Sequence, residues 1–426
     1  MNQIESTFWA LLRAAIAQDK PQDPGLSADE WEAVLRLGAA HHLLPLILDC
    51  ACSLPSCASF LRAEEKRRKE SGDGDQANWK ARALAQVERQ VLQENEFLNL
   101  VLLLHEKGLE PLSMKGPVCR SLYPKPLLRP SVDDDLLIPE ELAQAYHAAL
   151  LEYGLQPDDP DVDPQKAWEI SYHKPNSPLY IELHKQLFDP NSPVFEGFQR
   201  EFDGAYARRT TVRIQDVEMG TLAPADHLLF LILHAFKHFL HSGFGARIVA
   251  DICLFSRAYQ EQIDFAAVLC ACEERNCGQF STAVYRIGET YLGIPIPEPF
   301  REIEIEVEPL LRDIMASGLH GAQIDRLHSA NITLGAVSDH RSGKRDGGQL
   351  KKVLFPPAST MAGHYPFLSK HPALLPVAWG KRIIKYLKEP KKVGKHSPTA
   401  TLRIGEQRVQ LLAFYGIIEP ERAKNR

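Results

Sequence analysis

Residues 129–138 read Arg-Pro-Ser-Val-Asp-Asp-Asp-Leu-Leu-Ile, and residues 179–184 read Leu-Tyr-Ile-Glu-Leu-His. The apolar run Leu136-Leu137-Ile138, closed by Pro139, predicts a short buried strand with Asp133 and Asp135 at its start. Residues two apart on a strand face the same way, roughly 6.6 Å apart at about 3.3 Å per residue. Asp133 and Asp135 therefore share a face, and Asp134 points to the other. The second stretch alternates in the same manner, with Leu179, Ile181 and Leu183 on a core face and Tyr180, Glu182 and His184 opposite. Glu182 is the natural third carboxylate beside the acid pair.

Two unit charges about 4 Å apart repel by roughly 4 kcal/mol at an effective dielectric near 20, so three such pairs cost on the order of 12 kcal/mol if all are ionised. Either some of the acids protonate or a divalent ion neutralises them. Hard oxygen ligands suit Mg²⁺ better than zinc, and two carboxylates at this spacing suit a pair of ions about 3.5–4 Å apart. A bare Asp-Asp-Asp run is otherwise a solvated turn; the immediate entry into a buried strand argues for a site. Upstream, Met114-Lys115-Gly116-Pro117 predicts a strand-to-helix turn. Its glycine allows close backbone approach, its proline suits the first helical turn, and Lys115 adds positive charge toward a phosphate.

Taken together, these motifs resemble those of the uncharacterised bacterial nucleotidyltransferases of the DNA polymerase β superfamily. That family carries a Leu-Lys-Gly turn, then Tyr-Pro-x-Pro-x-x-Arg, then Asp-x-Asp-Leu-Leu-Val. Here the matching segments are Met114-Lys115-Gly116, Tyr123 to Arg129 and Asp133 to Ile138, followed by Glu182-Leu183-His184, Leu222 to Asp226, His234 to His238 and Arg247 to Ile252. The likeness covers roughly residues 28–295, more loosely to about 390. It implies an α+β fold: a small mixed β-sheet nucleotidyltransferase core flanked by N-terminal and C-terminal helical regions. It implies that Asp133 and Asp135 hold Mg²⁺, two ions in all, and the nucleotide phosphates. Glu182 would complete the metal site and help deprotonate an acceptor hydroxyl, with Lys115 and Gly116 as the phosphate-side turn. The donor would be a nucleoside triphosphate, ATP foremost, and the acceptor a small molecule or carrier in preference to RNA or protein. Two competing readings keep the fold: a catalytically inactive nucleotide-binding or scaffolding protein, and a toxin-like transferase acting on tRNA or protein.

Composition bounds these readings. A chain of 426 residues has ample material for two or three domains. Its net charge of −6 and isoelectric point near 6.3 argue against bulk electrostatic binding of nucleic acid. The eight cysteines show no paired metal-ligand spacing, which predicts reduced thiols. With no basic, cleavable leader and no apolar run approaching about 18 residues, a soluble cytoplasmic protein is expected.

Organisation along the chain predicts an N-terminal helical region over residues 1–90, the α/β core over 91–220, a helical domain over 221–330 and a C-terminal extension over 331–426. An amphipathic stretch near Phe8 to Ala17 opens the first region. A second helix starts at Ser27, whose capping box is completed by Glu30. The charged, Gly-rich run from Glu64 to Asp75 reads as a helix end and loop. A long helix spans about Asn78 to Lys107 and stops at Gly108. Helices to Tyr123 and from Pro139 to Tyr153 and strands near Trp168 to His173 and Leu179 to His184 complete the core. Helical patterning resumes at Pro224.

There, His234, Lys237, His238 and His241 fall on one helix face. The pattern lacks the Glu or Cys that zinc would want, so a cleft-facing polar stripe, or a solvated or core-satisfied cluster, is favoured over a zinc site. In the first case Lys237 and His238 meet the nucleotide and Asp251 orients one of them. Arg129 either contacts a phosphate bidentately or pairs with an acid at the sheet edge. Ser342 to Gly348 reads as a flexible connection. The basic run Lys381, Arg382, Lys385, Lys388, Lys391, Lys392 and Lys395 reads as a charged helix face plus tail.

Overall fold

The computed structural model describes residues 1–71, 78–317, 323–341, 365, 368, 371–388 and 398–419. They fall into two compact units, Met1–Phe236 with Phe244–Gly318 and Lys237–Gly243 with Leu319–Arg426.

The first unit opens with helices whose ends follow local chemistry. Helix α1 (Gln3–Ala17) begins at Asn2, which with Glu5 makes a reciprocal capping box, and α2 (Ala28–Ala40) does the same with Ser27 and Glu30. Helices α3 (Leu44–Ala51) and α4 (Pro55–Ser71) follow, and α4 takes up the first part of the charged run from Glu64. The long α5 (Trp79–Glu106) is capped by Asn78, whose side chain accepts from the Ala81 amide, and it stops two residues before Gly108, at φ 70°.

The core is one mixed sheet of seven strands: β1 (Leu112–Met114), β2 (Asp134–Leu137), β3 (Gln156–Pro157), β4 (Glu169–His173), β5 (Tyr180–His184), β6 (Thr210–Ile214) and β7 (Val217–Thr221), in the order β3-β4-β5-β2-β1-β7-β6. Between β1 and β2 lies the short α6 (Gly116–Ser121). The helix predicted from Pro139 starts as one 3₁₀ turn, Glu140–Leu142, before α7 (Ala143–Glu152). β2 runs antiparallel to β1 and parallel to β5, placing Asp135 beside Glu182. Leu136, Ile170, Tyr172, Ile181 and Leu183 project from one face and pack with Phe97, Val101 and Leu104 of α5 and Tyr146 and Leu150 of α7. Burying that face forces the intervening residues onto the other, which becomes the site.

The β6–β7 hairpin is an addition to the sheet predicted from the sequence. Its mixed polar and β-branched runs, joined by Gln215 at φ 52° and Asp216, carry a weak strand signal, and pairing of β7 with β1 consolidates it.

Beyond the sheet come α8 (Pro224–His241), α9 (Ala246–Ala258), α10 (Phe265–Glu274), α11 (Gly278–Ile287), the short α12 (Glu298–Arg301) and α13 (Glu308–Ser317). The last residues of α8 belong to the second unit. There α14 (Gln323–Arg341) packs on α16 (Pro398–Phe414), and the Thr333 hydroxyl donates to the Leu240 carbonyl at 2.7 Å. Helix α15 (Leu375–Lys388) carries the first four positions of the basic run. Lys391, Lys392, Lys395 and the Ser342–Gly348 segment lie outside the described residues. No single described helix is long and apolar enough to cross a membrane.

Candidate active site

β2 delivers its acids to two sides of the sheet. Asp134 faces α5, fully buried, where its Oδ2 accepts from Gln93 Nε2 at 2.9 Å. Nearby, Arg120 donates through Nε to Glu94 at 2.7 Å and through Nη1 to Ser131 at 2.6 Å. Burial pushes the Asp134 carboxyl up to about 6, with Arg120 and the Gln93 hydrogen bond drawing it back. Asp134 Oδ1 has no partner among the described residues and would lie 2.5 Å from a Cβ placed at Gly116. Glycine is required there by proximity; the turn itself is made by Lys115.

Lys115 occupies φ 46° and ψ −112°, a combination outside even the small left-handed region open to side-chain-bearing residues. Its amide donates to His227 Nε2 at 3.4 Å. Thr221 Oγ1 donates to the Ser113 carbonyl at 2.8 Å, which leaves the hydroxyl oxygen to accept from His227 Nδ1 at 3.2 Å. A neutral His227 is thus wired into the turn, and burial pushes its pKa down to about 3. The turn aims the Lys115 ammonium across the sheet to Asp135 Oδ1, 2.9 Å away, with His234 Nε2 at 3.4 Å.

Asp135 is the hub. Besides Lys115, its Oδ1 meets His184 Nε2 at 3.1 Å, whereas its buried Oδ2 has no partner among the described residues. Burial favours the neutral acid, but Lys115 and His184 outweigh it and hold the carboxyl well below the usual range. Burial likewise opposes charge on Lys115, and Asp135, Asp133 and Glu182 more than restore it, so the ammonium is held above its ordinary value. For His184 burial lowers the pKa, yet hydrogen bonds to Asp135 and Glu182 lift it to about 9. Asp133, half-buried, is raised by burial, with Lys115 pulling it back. Ligand atoms of Asp135, Glu182 and His184 lie within 4.8 Å of one another. Two carboxylates and an imidazole at that separation, one with an orphaned buried oxygen, fit a divalent cation.

Residues 27–293, more than half of the chain, match the model of a family described as uncharacterised nucleotidyltransferases. The chain belongs to that family. No curated protein and no solved structure gives a significant match.

Of the residues singled out in the sequence, Lys115, Gly116, Asp133, Asp135 and Glu182 come together around β2 and β5. Arg129 instead forms a buried bidentate pair with Asp251 on α9: Nε donates to Oδ1 at 3.1 Å and Nη2 to Oδ2. Tyr123 donates to the same carboxylate at 2.8 Å. Asp251 therefore orients Arg129 and Tyr123. Lys237 and His238 fall in the second unit. From α8, His227 meets the Lys115 amide, and His234 and the Phe230 ring lie beside its ammonium. Arg247, anchored by donation from Nη1 to the Pro130 carbonyl at 2.6 Å, adds a cation that acts on Asp133. His184 was legible as a position, since the alternation of β5 puts it on the face of Glu182. Nothing in the one-dimensional pattern links His227 to a turn more than a hundred residues away.

Proposed function

We propose that the protein is a divalent-metal-dependent nucleotidyltransferase that moves a nucleoside monophosphate from a nucleoside triphosphate, ATP foremost, to an acceptor hydroxyl. The observation that carries this reading is the Asp135–Glu182–His184 cluster with Lys115 poised on Asp135, in a chain of nucleotidyltransferase family. Asp133 and Asp135 offer an all-oxygen pair for Mg²⁺ beside the phosphates, and Glu182 and His184 extend Asp135 toward a second ion. Such ions, when bound, neutralise the acids and stabilise the charge that develops on the transferring phosphoryl group.

The chain's own residues supply the rest. Glu182, the most open of the clustered ligands, is proposed to take the proton of the attacking hydroxyl. Lys115 is held within one side-chain movement of the acids and can pass from Asp135 to the leaving pyrophosphate, keeping its charge because the acids sustain it. His227 fixes the backbone from which that side chain projects. The Arg129–Asp251–Tyr123 brace is proposed to hold the segment entering β2. The acceptor is proposed to be a small molecule or carrier, consistent with the net negative charge.

Calorimetric binding of the four nucleoside triphosphates, with and without Mg²⁺, to the wild type and to Asp135→Asn tests the proposal. Metal-dependent binding of one nucleotide, lost in the variant, is expected. Absence of binding at millimolar nucleotide would overturn it in favour of an inactive scaffold of the same fold.

A further inference from the structure

His184 sits between two shells of carboxylate. Its Nε2 faces the cluster, 3.1 Å from Asp135 Oδ1 and 3.7 Å from Glu182 Oε2. Its Nδ1 faces away, 3.4 Å from Oε2 of Glu169, the residue paired with it across β4 and β5, at ion-pair distance with no hydrogen bond formed. The Trp168 ring lies 6.3 Å from the imidazole, centroid to centroid. Metal-bound histidines donate their distal N–H to an outer carboxylate that fixes ring orientation and tautomer, and Glu169 lies on that side of the ring, a small rotation short of the bond. The partnerless, buried Asp135 Oδ2 is a further donor for a cation.

The donor set then bears on which ion binds. Mg²⁺ prefers oxygen and retains its waters, whereas imidazole is a better ligand for first-row transition ions. Of these, Mn²⁺ is the one that also suits carboxylates, water and phosphate oxygens in octahedral geometry. We propose that Asp135, Glu182 and His184 form a mixed nitrogen–oxygen centre that selects Mn²⁺ over Mg²⁺, with Glu169 as its positioning residue. This rests on the metal-dependent reading above and assigns different chemistry to its two ion positions: an oxygen-only position at Asp133 and Asp135, and a nitrogen-bearing one at Glu182 and His184.

The test uses the full chain and the metal alone. Mn²⁺ is titrated by electron paramagnetic resonance with Mg²⁺ as competitor, and the bound ion is examined by a pulsed experiment that detects coupling to ¹⁴N. Wild type is expected to show the ¹⁴N coupling and a Mn²⁺ preference. Glu169→Gln should weaken Mn²⁺ about 10–100-fold while retaining the coupling, the range typical of lost outer-shell partners. His184→Asp should lose the coupling and shift the preference toward Mg²⁺.

Bound Mn²⁺ without ¹⁴N coupling in the wild type would overturn the assignment of His184 without touching the transferase reading, and this measurement does not depend on any variant folding. Mg²⁺-dependent nucleotide binding together with equal loss of both ions in Glu169→Gln would overturn the positioning role. Failure of either ion to bind, with or without nucleotide, would remove both proposals.

Discussion

Replacing Lys115 by glycine and by alanine separates its two jobs, because both variants lose the ammonium and only one keeps the backbone demand. At φ 46° and ψ −112° a residue with a Cβ carries strain, of order 1–3 kcal/mol for such a sparsely populated conformation. Glycine removes that strain. Against it stands the greater freedom of a glycine in the unfolded chain, about 0.4–1 kcal/mol. The loss of the 2.9 Å contact to Asp135 is common to the pair and cancels, as does the retained amide donation to His227. Lys115→Gly is therefore expected to be more stable than Lys115→Ala by about 1–2 kcal/mol. Chemical denaturation followed by tryptophan fluorescence is a suitable assay, since four of the five tryptophans, Trp9, Trp31, Trp79 and Trp168, lie in the first unit. Equal midpoints, or an alanine variant more stable than the glycine one, would refute the idea that the turn is held under strain to aim the ammonium. Neither variant should support metal-dependent transfer at the wild-type rate.

Gly116→Ala would bring a methyl group to 2.5 Å from the buried Asp134 Oδ1. A destabilisation of about 1–3 kcal/mol is expected, and it should shrink when Asp134→Ala is added, because the two changes share one contact; additive effects in a double-mutant cycle would show that the carboxylate is not what excludes the side chain. His227 gives a pH signature. Above about pH 6.5 it is neutral both folded and unfolded, but below that only the unfolded chain takes the proton until the folded value near 3 is reached, so stability falls on acidification. His41, pushed down to about 4 by burial, adds to the fall, whereas Asp134, raised to about 6, opposes it. Comparing His227→Gln with the wild type isolates the first contribution: between pH 6 and 4 the variant should lose about 1.4 kcal/mol per pH unit less. Parallel acid limbs would mean that His227 takes up its proton in the folded protein.

Sequence alone determined the parts of this protein that depend on short-range pattern. Period-two alternation in Leu179 to His184, and the apolar run after Asp135, put the acids on one sheet face because burying the other face leaves no choice. Caps at Ser27 and Asn78 and the stop at Gly108 are local hydrogen-bonding and backbone chemistry, and they set helix ends within a residue or two. The family likeness in the same motifs extended this to a reaction class.

Tertiary structure decided what depends on partners far apart in the chain. Arg129 pairs with an acid, the role its sequence context favours over a phosphate contact, but only the fold brings that acid, Asp251 of α9, to it across 122 residues. The β6–β7 hairpin, weak as an isolated pattern, owes its place to pairing with β1. His234 lies on α8, and only packing brings it to Lys115. The orientation of His184 between Asp135 and Glu169 likewise follows from a strand register that joins β2, β4 and β5, and no spacing along the chain encodes that register.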